Sequence, residues 1–203
     1  MCGNDYGKIY NAYKYSMKHI KIYINEKLHI TTKSFYTCHP KTKDELLKII
    51  IQRIKDDGND CDLNDIDVSK ITDMSELFDA TANKIFSDFC GDVSMWDVSN
   101  VKDMYSMFCK CEKFNCDLSG WNVSNVNDML AMFFGCEQFN CDLSQWDVSN
   151  VEDIESMFLD CKNFNQNLDK WNVSNVKNNM KTAFLNCPTQ PKWYDRNKYE
   201  TEK

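Results

Sequence analysis

Three groups of side chains in this 203-residue sequence have the type and spacing to do chemistry. Cysteine comes first. There are 11, and Cys111, Cys136 and Cys161 recur every 25 residues, followed by Cys187. Thiols in a row could ligate a metal, pair as a disulfide ladder or fill a core layer as small apolar groups. Zinc sites favour close pairs such as Cys-x-x-Cys, and here the sequence has Cys109-x-Cys111. Neighbours in a stack of layers about 4.8 Å apart fall inside the Cα range of a disulfide, but parallel side chains do not readily reach its dihedral. An odd cysteine count without an export signal favours reduced, buried thiols.

The aspartates form two further rows. Asp62, Asp92, Asp117, Asp142 and Asn167 share one repeat position, and Asp67, Asp97, Asn122, Asp147 and Asn172 share another. Carboxylates stacked about 5 Å apart repel unless a cation bridges them, which makes Asp92, Asp117 and Asp142 candidate calcium ligands. The alternative is that these side chains hydrogen-bond turn backbone, as Asx residues do. The interchange of Asp with Asn favours that reading, and no cofactor is implied. The sequons Asn122-Val-Ser124 and Asn172-Val-Ser174 arise from the repeat itself, and sister units carry Asp in their place.

Catalytic chemistry finds little support. His19, His29 and His39 all precede the repeats, and with six glycines there is no Gly-rich phosphate loop. Cys38 adjoins His39, but neighbours on a strand point to opposite faces. The expectation is a protein that is not an enzyme.

These rows exist because the sequence repeats. Trp96, Trp121, Trp146 and Trp171 are 25 residues apart, and the units between them open WDVSNVKDMYSMF, WNVSNVNDMLAMF and WDVSNVEDIESMF. A fourth, WNVSNVKNNMKTAF, decays after Cys187, and an upstream unit, IDVSKITDMSELF, carries a five-residue insertion before Trp96. Within a unit, Phe114, Cys116 and Leu118 alternate with Asn115, Asp117 and Ser119, the period of a half-buried strand. Val101, Met104, Met107, Phe108 and Cys111 follow a helical face, with Asn100 and Asp103 placed as a cap. One strand and one short helix cannot bury a core alone. Stacking the units does so, and about five layers exceed the minimum of roughly three.

The motif W-D-V-S-N-V-x-D-M-x-x-M-F resembles the repeat of the BspA-like leucine-rich-repeat surface-protein family, over Cys61 to Cys187. That family occurs in bacterial lipoproteins and surface proteins, some protists and giant DNA viruses. The resemblance implies a leucine-rich-repeat-like solenoid that serves adhesion or protein–protein interaction, and it implies no catalytic residues. Residues 1–15 are polar and lack the apolar core of a signal peptide. The expectation is therefore an intracellular protein. An origin in an AT-rich large DNA virus would place it in the host cytoplasm.

The fold expected is an α/β repeat, a short right-handed leucine-rich-repeat-like solenoid with one short strand and one short helix per repeat. Residues 1–40 form an N-terminal segment with a hairpin near 20–30, and 41–60 a capping helix. The repeats fill 61–187, and 188–203 make a C-terminal cap and frayed tail. Thr42-Lys43-Asp44-Glu45 is a capping box opening the helix, and Gly58 ends it. A net charge of −7 argues against nucleic acid and anionic membranes. No run approaches the roughly 18 apolar residues of a membrane span.

The best expectation is a monomer that binds a protein partner through positions varying from unit to unit: Lys102/Asn127/Glu152/Lys177, Tyr105/Leu130/Glu155 and Lys110/Gly135/Asp160. Tyr105, Leu130, Phe134 and Glu155 are the candidate binding residues, with the aromatics as anchors. An extracellular adhesin supported by calcium or disulfides is the rival reading.

Overall fold

The computed structural model describes residues 36–177 and 180–196. The chain divides into two compact units, Met1–Thr37 and Cys38–Lys203, and the described residues fall almost wholly in the second. The hairpin expected near 20–30 lies outside the described residues.

The first element, α1, spans Lys43–Asp57. Thr42 Oγ1 accepts the Glu45 N–H at 3.2 Å, satisfying one of the amides a helix start leaves open. The Glu45 carboxylate reaches back to the N–H of Lys41 at 2.7 Å, so the reciprocal half of the box closes one residue earlier than the motif implies. Leu46, Ile50 and Ile54 are buried, and Gly58, at φ 92°, donates its N–H to Ile54 to end the helix. Lys43 bonds Asp73 and Ser75, and Arg53 meets Asp65 at 2.6 Å, tying α1 to the first repeat.

The repeats themselves are not a strand and a helix, and the expected α/β solenoid is corrected here. Beyond α1, the described part of the repeats holds a 3-10 turn, Lys84–Phe86, inside the five-residue insertion. Strand pairing is confined to isolated parallel bridges, Asp73 to Asp103, Asp103 to Asp128 and Asp128 to Asp153, with Asp62 to Asp92 and Cys38 to Ile66. Each 25-residue unit is a coil of successive tight turns.

The backbone shows why the helix fails. The N–H groups of Met104, Ser106, Phe108 and Lys110 point out of their own coil, to the carbonyls of Asp128, Leu130, Met132 and Phe134 at 2.6–2.9 Å. The intervening Met107, Cys109 and Cys111 amides reach back three residues, to Met104, Ser106 and Phe108. A helix would send all of them four residues back. The alternation demands left-handed backbone at fixed places: Glu76, Ser106, Ala131 and Ser156 have φ of 49–55°, and Lys110, Asp160 and Asn186 of 60–64°. The helix-like spacing of Val101, Met104, Met107, Phe108 and Cys111 is real as a burial pattern, since all five are buried. It arises from turns that return to the core at the same intervals.

The strand fails for a different reason. Burial alternates as expected, with Phe114 and Leu118 inside and Asn115, Asp117 and Ser119 exposed. Side chains, however, occupy the places a strand ladder gives to carbonyls. Asn115 Oδ1 takes the N–H of Asn140 at 2.9 Å, Asn140 Oδ1 that of Asn165 at 2.8 Å, and Cys141 Sγ that of Leu118 at 3.1 Å. Side-chain acceptors placed between coils in this way take amides that a ladder would need.

The left-handed column makes a prediction of opposite sign for the two folds. Glu76 is exposed at φ 55°, so Glu76→Gly should stabilise by about 0.5–1 kcal/mol, the relief of a strained residue outweighing the extra chain entropy. In a helix interior the same change would cost about 1 kcal/mol. Urea midpoints of the two chains decide between them.

Equivalent side chains stack through the core. Phe78, Phe108, Phe133, Phe158 and Phe184 form one row with centroids 5.1–5.8 Å apart. Phe89, Phe114, Phe139 and Phe164 form a second, at 6.0 Å spacing. The rows touch at 4.0–4.3 Å, as at Phe108 and Phe114. Each tryptophan donates Nε1–H to the preceding coil: Trp96 to Leu63, Trp121 to Val93, Trp146 to Leu118 and Trp171 to Leu143, all at 2.9–3.1 Å. Trp193 does the same to Leu168 at 2.8 Å, so the row has a fifth member despite its irregular spacing. The face-to-face stack stops where Trp193 and Tyr194 meet Phe184 edge-on, at 72° and 63°.

Candidate binding surface

The turns that bring residues to the surface are made by the aspartates. Asp92, Asp117 and Asp142 each accept the N–H two residues on, from Ser94, Ser119 and Ser144, at 2.9–3.0 Å. Asn167 does so from Asp169 at 2.8 Å, and Asp97, Asn122, Asp147 and Asn172 repeat the bond to Ser99, Ser124, Ser149 and Ser174 at 3.1–3.2 Å. The bond needs an oxygen and no charge, which accounts for the Asp–Asn interchange. No group of three or more His, Cys, Asp or Glu side chains among the described residues is placed to hold a metal ion.

A third row, Asp73, Asp103, Asp128 and Asp153, makes the same turn bond at 2.8–2.9 Å, where Asp103 and its equivalents were expected to cap helices. Its signal was present in the 25-residue recurrence of Asp103, Asp128 and Asp153, which reads equally well as helix caps. Environment sets Asp128 apart. The amide and hydroxyl of Ser144 hold the exposed Asp142 carboxyl below its ordinary range, and the Ser149 hydroxyl and amide do so for Asp147. Burial pushes Asp128 up, and the charges of Asp103 and Asp153 add to it. Asp128 is therefore more readily protonated in the folded protein, and its ionisation works against folding at neutral pH. Asp128→Asn keeps the acceptor for the Leu130 amide and removes the repulsion. It should stabilise by a few tenths to about 1 kcal/mol at pH 7, the scale of a single charge pair near a surface, with the gain vanishing below about pH 4. Melting curves at the two pH values check this.

The thiols are bound inward. Cys111, Cys136, Cys161 and Cys187 donate Sγ–H to the carbonyls of Phe78, Phe108, Phe133 and Phe158 at 2.9–3.0 Å. Burial pushes Cys111, Cys136 and Cys161 well above the usual thiol range, and Cys187 up to about 12. Cys109 also rises to about 12, by burial first and the neighbouring Asp79 second. Thiols held neutral in this way are poor nucleophiles and poor metal ligands. None of the described cysteines is in a disulfide. His39 is exposed, 3.1 Å from Asp67 Oδ2, while Cys38 is engaged through its backbone with Asp65 and Asp67.

The varying positions form columns that run from coil to coil. Tyr105, Leu130 and Glu155 are brought into a single column by the bonds from Ser106 N–H to the Leu130 carbonyl and from Ala131 N–H to that of Glu155. Tyr105 is 36% exposed, the one large hydrophobic side chain among the described residues to stand so far out. Leu130, Phe134 and Glu155 are half-buried. Phe134 lies across the coil, in a column with Leu159, which sequence reading passed over although it stands 25 residues on. The Lys110 ammonium sits 4.2 Å from the centre of the Phe134 ring. Gly135, at φ 70°, makes that possible, since a β-carbon there would lie 2.5 Å from Lys110 Cδ. The face thus combines an apolar middle with a polar margin.

A family model described as "Mycoplasma protein of unknown function, DUF285" matches residues 80–194. The match supports the repeat surface-protein kinship drawn from the motif. No curated protein and no solved structure matches the chain. No helix of the described residues is long and apolar enough to cross a membrane.

Proposed function

We propose, for a chain that belongs to the Mycoplasma family of unknown function DUF285, that it is a non-catalytic protein-recognition module working through the Tyr105–Leu130–Phe134–Glu155 face. One contrast carries the reading. Columns that point inward repeat nearly the same residue, as in Phe108, Phe133 and Phe158, whereas the outward column reads Tyr105, Leu130, Glu155. A packed stack needs the first kind of uniformity and gains nothing from the second kind of variety, and a surface that recognises one partner needs the variety. The neutral, inward-bound thiols support a non-enzymatic role in a reducing compartment, which we take to be intracellular.

A photo-crosslinking residue at position 134 should capture one discrete protein from cells of the source, and the same residue at exposed Asn125, away from this face, should not. Equal capture from both positions would remove the face from consideration. The kinship with surface proteins favours a second reading, an exported adhesin. Counting thiols on protein from its native source separates the two: 11 reactive thiols after unfolding fit a reducing compartment, and ordered disulfides fit export.

A further inference from the structure

We infer that the C-terminal end of the stack binds a short, uncharged, extended peptide segment of a partner protein, which lies along Asn165–Asn167 as one more rung of the asparagine row. The site shares no residue with the Tyr105 face.

The last layer is too short to complete its wall. From the core cysteine to the next tryptophan the chain advances ten residues in each full layer, Cys111 to Trp121, Cys136 to Trp146 and Cys161 to Trp171, but six from Cys187 to Trp193. Both ends of this short stretch still keep their rows. Cys187 Sγ donates to the Phe158 carbonyl at 2.9 Å, and Trp193 Nε1–H to that of Leu168 at 2.8 Å. The four-residue shortfall therefore falls between them, in the segment that reads Phe-Asn-Cys-Asp-Leu or Phe-Asn-Gln-Asn-Leu in the layers above. A cleft of about 230 Å³ opens there, with Asn165, Gln166 and Asn167 on one side and the short stretch, Gln190 included, on the other.

Hydrogen bonding in the layers above defines the guest. Asn115 Oδ1 accepts the N–H of Asn140, and Asn140 Oδ1 accepts that of Asn165. Gln166 Nε2 donates to the Asn140 carbonyl and Oδ1 at 2.9–3.0 Å. At Asn165 the row stops. Its carboxamide takes no bond among the described residues, and it stands exposed on the cleft. A guest must bring a backbone N–H for Asn165 Oδ1, as Asn140 and Asn165 do for the residues above them. Extended peptides that add to an open edge draw their affinity from such main-chain bonds. Charge is already balanced, since Asp169 Oδ1 accepts the Lys192 N–H and Oδ2 pairs with Lys192 Nζ, both at 2.8 Å. The walls therefore suit a neutral segment. No further ring is needed, because Phe164, the last of its row, is already covered at 1% exposure. What fits is Asn-x-Asn, with Gln in the middle to repeat towards Asn165 the bonds that Gln166 makes to Asn140.

The blocked peptide acetyl-Asn-Gln-Asn-Leu-amide, the sequence of residues 165–168, tests this by titration into the full chain with backbone amide shifts followed by NMR. The expected Kd is about 1 mM or tighter, with the shifts centred on Asn165, Gln166 and Gln190. A peptide whose first residue is replaced by proline lacks the N–H meant for Asn165 and should bind about tenfold more weakly. Asn165→Ala should weaken the unaltered peptide by the same factor; should that chain fail to fold, the proline peptide decides alone. Absence of any shift at about 5 mM peptide overturns the inference, and so does a proline peptide that binds equally well. N-acetylglucosamine shifting the same amides at lower concentration than the peptide would also overturn it, by assigning the cleft to a sugar. Position 134 does not line the cleft, so a failed crosslink there leaves these results untouched.

Discussion

Phe133→Ala should cost about 3–5 kcal/mol, and the measurement is a urea unfolding curve on the full chain. Phe133 is fully buried and touches aromatic rings on every side: Phe108 at 5.8 Å, Phe158 at 5.6 Å, Phe139 at 4.1 Å and Trp146 at 6.4 Å. Truncation loses the transfer of a whole ring and opens a void between coils that cannot slide together, because the backbone ladder holds their separation. Each lost ring contact adds its own about 0.5–1.5 kcal/mol in such settings. Phe133→Leu should recover more than half of the loss. Since each coil touches its neighbours, the damage should also divide the stack, broadening the transition where an intact chain unfolds as one. A loss below about 1 kcal/mol would mean that the rings are not in one continuous row.

The second large effect is alkaline lability. Burial is the leading cause that pushes Cys61 and Cys141 up to about 11 and Cys109 and Cys187 up to about 12, from an ordinary 9.0. A group whose proton is held more tightly when folded stabilises fully below its unfolded value and loses that contribution as pH rises towards its folded one. The window is therefore pH 9 to 12, and the losses sum over several thiols. The melting temperature should be nearly flat from pH 6 to 8 and fall steeply above pH 9, by well over 10 °C at pH 10.5 for a domain of this size. Cys109→Ser with Cys187→Ser should flatten that fall, whatever it does at neutral pH. Reagent chemistry gives a parallel readout. Cys90 is exposed and should be modified promptly at pH 8, whereas fully buried Cys136 should wait for the coil to open. Prompt modification of all thiols in the folded chain would contradict the stack.

Much of this arrangement was legible in the residues, and what was not has a physical cause. The 25-residue recurrence of Trp96, Trp121, Trp146 and Trp171 announces layers, and the Trp and Cys rows read from it are rows of the observed stack. The Thr42 box and the Gly58 stop locate α1 to within a residue, because caps are local chemistry. Secondary structure within the layers was misread. A helical burial period at Val101–Cys111 was produced by turns, and nothing in the side chains of Ser106 or Lys110 advertises a left-handed backbone. Gly135 at the position of Lys110 was a clue of that kind, visible in the sequence and given no weight. The acidic rows were readable as turn formers from the Asp–Asn interchange, but which of them is shielded enough to titrate differently depends on depth, which a sequence does not carry. Trp193, with Tyr194, was expected to close the stack, but its membership of the tryptophan row is hidden because it lies 22 rather than 25 residues beyond Trp171.

The reach of each cross-coil bond has a mechanical consequence. Past the insertion, indole, thiol and asparagine bonds join residues 25–28 apart, as at Asn115 and Asn140, Cys136 and Phe108, and Trp146 and Leu118, so each of these coils closes a loop of nearly the same length, whereas across the insertion the Trp96–Leu63 and Cys111–Phe78 bonds span 33. The entropy spent in closing a loop depends on its length, and it is the same for each coil past the insertion. A chain pulled from its two ends should therefore surrender its length in equal instalments, one coil at a time, each releasing about 80–90 Å of extended peptide. The force trace of such a protein would be a saw-tooth whose teeth count its repeats.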